Sequence, residues 1–345
     1  MAVSPPLQRP TNSKRFPILP ENSDYFEVSH SLRAKAMSTD HSILLLQQRP
    51  QLWAQVRQWR QQGLRIGLVP TMGNLHQGHL SLVEQAQRHS DRVIVSIFVN
   101  PTQFGPSEDF ALYPRTLERD IEQLKAFQVD AVFAPSPDEV YPHGHDQTML
   151  LQAPLKLGDT LCGLSRPGHF DGVVTVVSRL FNMIQPDVAV FGEKDYQQLL
   201  IIEYMNRELG YPLEILRAPT MRESSGLAMS SRNQYLSDEQ RRQATAIHQQ
   251  LSWCVEQLER GQFVTKADYN ALEAQATKAL AEAGLAPEYF TIRRADNLHS
   301  FDDLPAGSQL DVGQPLALRV LAAARMGETR LIDNLPAQLV QSKPA

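Results

Sequence analysis

From residue 65 onwards, the sequence alternates between short apolar runs and longer segments with apolar residues at helical spacing. Residues 93–99 are almost continuously apolar, as in strands that are buried on both faces. Further strands are predicted at 65–69, 131–134, 188–191 and 213–216, and helices at 50–63, 78–88, 117–127, 173–184 and 195–209. Strands and helices in turn indicate an α/β fold, a parallel sheet with helices on both faces.

The alternation gives way to a different pattern near Met221. Two long helical stretches, 238–260 and 266–283, precede strand-like runs at 288–293 and 315–324. Because 345 residues favour two domains, we expect a parallel-sheet domain over 42–220 and a smaller α+β domain over 221–339. Residues 1–41 carry five prolines without apolar periodicity and are predicted to be a disordered tail, with a short second tail at 340–345.

Composition excludes several classes of protein. With 42% hydrophobic and 21% charged residues, the chain can bury a sizeable core and is neither collagen-like nor wholly disordered. A net charge of -5 leaves no electrostatic footprint for nucleic-acid binding, and no apolar run approaches the roughly 20 residues of a membrane helix. Cys162 and Cys254 are interpreted as buried free thiols. We expect a soluble, cytoplasmic protein without nucleic-acid or membrane partners; an organelle transit peptide and a start at Met37 stay open.

The first strand–loop–helix junction, residues 69–79, is the leading candidate for a ligand site, since ligands of open α/β sheets bind beyond the carboxyl ends of the strands. His76 and His79 flank Gly78 and open a helix, whose N-terminal amides and dipole favour anions such as phosphates. Two imidazoles in this place suit hydrogen bonding to a triphosphate. A zinc pair is an alternative, although no third ligand with familiar spacing is apparent; ordinary surface or capping histidines are another.

Two further polar segments are candidates for the same site. Residues 191–198 follow a predicted strand, so Lys194 would place a cation on the phosphates, and Asp195 would cap the helix or orient a nucleotide group. Within 229–233, Arg232 and two serine hydroxyls suit a mobile loop that clamps a phosphate. Taken alone, an ordinary capped turn and a polar loop are the simpler interpretations.

Other candidates are single residues in loops. Gln103 ends the apolar strand and offers a donor and an acceptor to a hydroxy acid, or is a solvated turn residue. Tyr113, Arg166 and His169 are possible substrate contacts, or surface residues. Kinase, dinucleotide oxidoreductase and serine hydrolase hypotheses lose support, because the sequence has no Walker loop, G-x-G-x-x-G or G-x-S-x-G.

Taken together, these segments resemble the pantothenate synthetase (pantoate–β-alanine ligase) family from about residue 43 to Asn334. The motifs at 69–79, 96–104, 113–116, 191–199, 226–233 and 329–334 occur in the family's order. The family belongs to the nucleotidyltransferases with a His-x-Gly-His signature, in which residues 229–232 would be the counterpart of a mobile Lys-Met-Ser-Lys-Ser-like loop. The resemblance implies a Rossmann-like, doubly wound nucleotidyltransferase domain that binds ATP and pantoate.

The resemblance also implies a two-step reaction. Pantoate attacks the α-phosphate of Mg-ATP to give pantoyl adenylate and pyrophosphate, and β-alanine then displaces AMP. His79, His76 and Lys194 would be catalytic, Gln103 and Gln198 would bind pantoate, and Gln103 would also lie at the β-alanine site. The implied ATP-binding residues are Met72, Gly73, Asn74, Leu75, His76, Gln77, Gly78, His79, Gly192, Glu193, Lys194, Asp195, Met221, Met229, Ser230, Ser231 and Arg232.

The resemblance further implies that Mg arrives with ATP, without a dedicated protein site, and that a homodimer forms through the first domain. Two other functions stay open. One is another nucleotidyltransferase, such as a phosphopantetheine adenylyltransferase-like enzyme; the other is a non-catalytic nucleotide-binding module. Some relatives carry a fused cytidylate kinase, so this chain, which has no Walker loop, is either a single-function version or a fragment.

Overall fold

The computed structural model describes residues 42–105, 110–111, 113–260, 266–300 and 316–339. The tails predicted at 1–41 and 340–345 lie outside these residues. The described residues belong to one compact unit, and the division into domains near residue 220 stays a prediction. None of the helices in this part of the chain has the length and apolarity to cross a bilayer.

A parallel sheet forms the first part of the fold, which confirms the predicted α/β class. Its strands are β1 (Leu44–Leu46), β2 (Ile66–Thr71), β3 (Arg92–Ile97), β4 (Ala131–Phe133), β5 (Val188–Gly192) and β6 (Glu214–Ala218). They lie in the order β1-β4-β3-β2-β5-β6, with every neighbouring pair parallel. The interior strands are buried on both faces, as the apolar run at 93–99 predicted. Only the short edge strand β1 was not predicted.

The predicted helices occur in the expected order with shifted ends, and three short helices between residues 137 and 165 were not predicted. The helices are α1 (Arg49–Gln61), α2 (Gln77–His89), α3 (Leu117–Ala126), α4 (Pro137–Val140), α5 (Leu155–Gly158), α6 (Cys162–Ser165), α7 (His169–Ile184), α8 (Tyr196–Glu208), α9 (Asp238–Ala244), α10 (Ala246–Arg260) and α11 (Lys266–Glu282). The single helix predicted over 238–260 was wrong, because it divides at Thr245. The Thr245 hydroxyl donates to the Arg242 carbonyl at 2.7 Å, which competes with regular helical bonding.

A second, antiparallel sheet lies near the C-terminus. Its strands are β7 (Ala286–Arg294), β8 (Leu316–Met326) and β9 (Thr329–Leu339), in the order β7-β8-β9. The sequence did not predict β9, since Asp333, Asn334 and Pro336 interrupt its apolar alternation; as an edge strand, β9 tolerates the proline. The sheet shares one apolar core with α10 and α11, whereas Leu298 and Leu321 join the core around α7 and α8. Cys162 and Cys254 are buried free thiols, as predicted.

Candidate active site

A cleft opens where the strand order reverses. Strands β2 and β5 are neighbours, but the chain leaves β2 towards β3 on one side and β5 towards β6 on the other. The loops after them therefore diverge and leave a crevice at the carboxyl ends of the strands. The cavity there measures about 230 Å³. The predicted site residues that line it are Met72, His76, Gly78, His79, Gln103, Tyr113, Gly192, Lys194, Asp195, Gln198, Met221, Met229, Ser230, Ser231 and Arg232.

Other predicted residues lie beside this cleft. Asn74, Leu75 and Gln77 line a neighbouring pocket of about 270 Å³, which shares His76 and Ser230 with the cleft. Glu193 pairs with Arg319 of β8 at 3.2 Å, and Gly73 forms a turn at φ +82°. Their contact with ATP stays a prediction.

A buried carboxylate holds the loop before the histidines. The backbone N–H groups of Asn74 and Leu75 each donate to Asp120 at 2.9 Å. Asp120 lies on α3, is fully buried, and also accepts a hydrogen bond from the Thr116 hydroxyl at 3.1 Å. Sequence reasoning missed Asp120, because nothing in the pattern of α3 indicates a contact with a loop more than forty positions away.

His76 and His79 cap α2 and face the cleft at the same time. Nδ1 of His76 accepts from the Gly78 N–H at 3.1 Å, and Nδ1 of His79 accepts from the His76 N–H at 3.4 Å. A neutral imidazole that accepts through Nδ1 carries its proton on Nε2. The two rings, whose centroids are 4.1 Å apart, therefore each retain one Nε2–H donor. Capping and ligand binding are thus compatible roles of one pair.

Both histidines are neutral at physiological pH. Burial and the Lys194 cation lower the pKa of His76 to about 4. Burial, together with His76 and Lys194, lowers the pKa of His79 to about 3. The pair therefore offers hydrogen-bond donors without positive charge.

Lys194 brings positive charge to the same cleft. Its Nζ lies 3.3 Å from the Asp195 carboxylate. Burial alone would raise the pKa of Asp195, but Lys194 and Arg232 outweigh it, so that the net shift is downward and Asp195 is ionised. The predicted capping role of Asp195 was wrong, since its side chain makes no capping hydrogen bond to α8.

The segment from Met229 to Arg232 is tied to the end of a tight hairpin. The Met229 N–H donates to the Met221 carbonyl at 2.9 Å, and Arg222 forms a β-bridge with Ala228. Ser230 and Ser231 then begin a short 3-10 turn, in which the Ser230 hydroxyl accepts from the Arg232 N–H at 3.3 Å. The hairpin thereby directs the two serines and Arg232 into the cleft.

A polar network orients Gln103. Its Oε1 accepts from Nδ2 of Asn100 at 3.1 Å, and its Nε2 donates to the Met72 sulfur at 2.9 Å. Asn100 is almost fully buried and also donates to the Gly172 carbonyl at 3.1 Å, while the Tyr141 hydroxyl donates to it at 2.6 Å. Asn100 is a second residue that sequence reasoning missed, although it lies in the motif that contains Gln103.

Helix α7 packs closely against this turn and provides an apolar wall. A Cβ on Gly172 would lie 2.2 Å from the Thr102 carbonyl oxygen, so only glycine permits the contact. The helix contributes four apolar side chains to the cleft: Val173, Val176, Val177 and Leu180.

Arg166 and His169 hydrogen-bond to the backbone of the turn that carries Gln103. A guanidinium always donates, so Arg166 donates to Nε2 of His169 at 2.8 Å, and the His169 Nδ1–H donates to the Gln103 carbonyl at 2.8 Å. Both residues line a separate cavity of about 80 Å³, together with Lys194 and Asp195. His169 is buried rather than at the surface.

No group of three or more histidine, cysteine, aspartate or glutamate side chains among the described residues is arranged to hold a metal ion. The zinc-pair alternative for His76 and His79 therefore lacks a third ligand in this part of the chain. Among the polar side chains of the cleft, most are imidazoles, cations and hydroxyls, and Asp195 is the one carboxylate in its described lining. Such a set suits an anionic ligand.

Comparison with known proteins identifies the family. The family model for pantoate-beta-alanine ligase matches residues 44–336. The pantothenate synthetase of Idiomarina loihiensis is 50% identical over 282 residues, which are 82% of this chain and 95% of that protein. The one from Thioalkalivibrio sulfidiphilus is 51% identical over 294 residues, 85% and 98% of the two chains.

Solved structures agree with these relatives. Pantothenate synthetase from Thermus thermophilus superposes with a TM-score of 0.73 at 42% identity, over 85% of this chain and 99% of that one. Pantoate-beta-alanine ligase from Francisella tularensis, complexed with beta-gamma ATP and beta-alanine, gives 0.68 at 32% identity, over 85% and 97%. The cleft geometry, the matched family model and these relatives lead to one conclusion: the chain belongs to the pantoate–β-alanine ligase family.

Proposed function

We propose that this chain joins pantoate to β-alanine at the expense of ATP, through a pantoyl adenylate. The observation that carries the proposal is the meeting of two neutral Nε2–H imidazoles, the Lys194 cation and the Ser230 to Arg232 segment at one cleft. A free carboxylate is a poor acyl donor, and adenylation supplies it with a leaving group. ATP and β-alanine are bound in the related Francisella tularensis ligase.

In the first step, a pantoate carboxylate oxygen attacks the α-phosphorus and the bond to pyrophosphate breaks. Negative charge grows on the departing phosphates. His76 and His79 would stabilise it through their Nε2–H donors, and Lys194 and Arg232 through positive charge. The N-terminus of α2 adds its dipole to the same place.

Mg would accompany the phosphates and neutralise part of their charge. Mg²⁺ keeps several waters and is bound mainly by substrate phosphates with one or two carboxylates. Asp195 is the carboxylate in the described lining of the cleft. This lining suits a Mg²⁺ ion held mainly by the phosphates better than one held entirely by protein ligands.

In the second step, the β-alanine nitrogen attacks the acyl carbon, the bond to AMP breaks, and the nitrogen loses a proton as the amide forms. Gln103 and Gln198 would hold the pantoyl hydroxyls. The Gln103 Nε2 group donates to the Met72 sulfur, which is a weak acceptor, so exchanging this bond for one to a hydroxyl would cost little. The α7 wall suits the geminal methyl groups of pantoate. A site closed by that wall would also protect the adenylate from water.

We place this activity in the cytoplasm and in a homodimer formed through the first part of the chain, in line with the family resemblance. Light scattering of the purified chain tests the dimer, for which a monomer mass would be the contrary result.

The proposed function is tested by supplying the purified chain with Mg-ATP and pantoate and following pyrophosphate. We expect a single burst of release without β-alanine and continuous release with it. Bound ATP without any pyrophosphate would contradict the proposal. Release with phosphopantetheine instead of pantoate would favour the other nucleotidyltransferase function.

A further inference from the structure

Two adjacent buried residues of β9 have no part in the reaction described above. Asp333 and Asn334 are only 4% and 3% exposed. They end the last motif of the family resemblance, but they do not line the cleft. Burial of a polar side chain costs free energy unless the side chain is hydrogen-bonded. The hydrogen-bond partners of Asp333 and Asn334 lie in segments that border the cleft.

Asn334 holds the turn that carries Lys194. Its Nδ2 donates to the Glu193 carbonyl at 3.0 Å and to the Lys194 carbonyl at 2.8 Å. Its Oδ1 accepts from Nε of Arg319 at 2.6 Å. The amide therefore uses both of its hydrogens and its oxygen, and a flipped amide would lose these bonds.

Arg319, on β8, contacts the same turn. Its guanidinium pairs with the Glu193 carboxylate at 3.2 Å and lies 4.0 Å from the centre of the Tyr196 ring. The Arg319 side chain is 6% exposed, so these interactions are little screened by water. The antiparallel sheet thus contacts the turn on both sides of Lys194.

Asp333 holds the hairpin that leads into the Ser230 to Arg232 segment. It accepts a two-bond ion pair from Arg222, at 2.6 and 2.9 Å. Arg222 also donates to the Gly226 carbonyl at 3.1 Å, within the hairpin that directs Met229 to Arg232 into the cleft. One strand, through two neighbouring residues, therefore contacts the turn that carries Lys194 and the hairpin that precedes the Ser230 to Arg232 segment.

We propose that Asp333 and Asn334 are positioning residues that set the spacing between Lys194 and the Ser230 to Arg232 segment. The inference rests on the proposed function, in which both segments act on the triphosphate during adenylation. Neither residue lines the cleft itself; both line the smaller cavity of about 80 Å³, together with Lys194 and Arg232. A displacement of about 1 Å in such a site costs up to about 100-fold in rate, so the spacing matters for the first step and far less for attack by β-alanine.

The test is to measure the two half-reactions separately in Asn334→Ala and in the isosteric Asn334→Asp. Pyrophosphate release from Mg-ATP and pantoate should fall about 10- to 100-fold. Conversion of supplied pantoyl adenylate by β-alanine should change less than about 3-fold. Gln338→Ala, at an exposed position of the same strand, is the matched control and should leave both rates unchanged.

A double-variant cycle separates positioning from a general structural role. In a Lys194→Ala background, Asn334→Ala should cause no further loss of pyrophosphate release, because the group that it positions is gone. The inference would be overturned if the losses in the double variant were additive, or if Asn334→Ala slowed both half-reactions equally. It would also be overturned if neither Asn334 variant showed a cooperative thermal unfolding transition. An unaltered chain that releases no pyrophosphate would overturn the proposed function itself, and with it this inference.

Discussion

The parallel sheet and the antiparallel sheet serve the cleft in different ways. The parallel sheet places the side chains proposed to react after strand ends, with His76 and His79 after β2 and Lys194 after β5. The antiparallel sheet places Arg319, Asp333 and Asn334 against the backbone and partners of those groups. The groups proposed to react thus lie close to their own strands in sequence, whereas the contacts proposed to set the distance between them span more than 100 positions.

The largest expected effect tests the chemical side of this comparison. His79→Ala removes the Nε2–H donor that we propose faces the growing phosphate charge, so adenylation should slow by about 10²–10³-fold while ATP still binds. Loss of the hydrogen bond that the His79 side chain accepts from the His76 N–H should cost about 1 kcal/mol of stability. The measurement is burst-phase pyrophosphate release.

His89→Ala is the control, since His89 is exposed at the other end of the same helix. It should leave the burst unchanged. A His79→Ala chain with a near-normal burst would show that the parallel sheet does not supply the reactive donor at this position.

An intermediate effect tests whether the parallel sheet also needs positioning from afar. Asp120→Asn removes one of the carboxylate oxygens that accept from the Asn74 and Leu75 N–H groups, and an unsatisfied buried donor costs about 1–3 kcal/mol. We expect a raised KM for ATP of about 10-fold and a lower melting temperature. Glu118→Gln, an exposed neighbour on α3, is the control; equal behaviour of the two variants would exclude a role for Asp120 in holding the loop.

The last expectation concerns the stability of the chain and its dependence on pH. The pKa of His76 is lowered to about 4 and that of His79 to about 3, from 6.5 in the unfolded chain. Between about pH 4 and 6.5, the unfolded chain binds more protons, so the free energy of unfolding rises with pH in this window and is lost as pH falls through it.

Urea unfolding at several pH values checks this expectation. A chain with both histidines replaced by glutamine should show a shallower slope of stability against pH than the unaltered chain. Identical slopes would show that the buried, neutral state of the pair is wrongly assigned.

Much of the fold follows from local pattern. Apolar runs identify the buried strands β2 to β5, because both faces of a parallel sheet are covered. The edge strand β9 escaped prediction, since the polar pair Asp333 and Asn334 serves contacts with the cleft segments instead of continuing an apolar stripe. The break at Thr245 was missed, because a single hydroxyl decides it.

The candidate site divides in the same way. The strand–loop–helix rule finds His76, His79 and Lys194, but it does not distinguish two adjacent glutamines. Gln198 lines the cleft, whereas Gln197 is buried and donates to the carbonyls of Leu157 and Thr160 at 2.6 and 2.8 Å. Asp120 acts through backbone contacts that depend on the finished fold, so no short motif indicates it. Asn100 lies in the motif that contains Gln103, but its contact with Gly172 of α7 also depends on the finished fold.

The central claim is that the pantoate carboxylate becomes bonded to the α-phosphorus of ATP. Pantoate labelled with heavy oxygen in its carboxylate tests this most directly, with mass spectrometry of the products after one turnover with β-alanine. The account predicts one labelled oxygen in AMP, because the amine expels the adenylate with the oxygen that attacked. Label in inorganic phosphate, with ADP as the product, would contradict it.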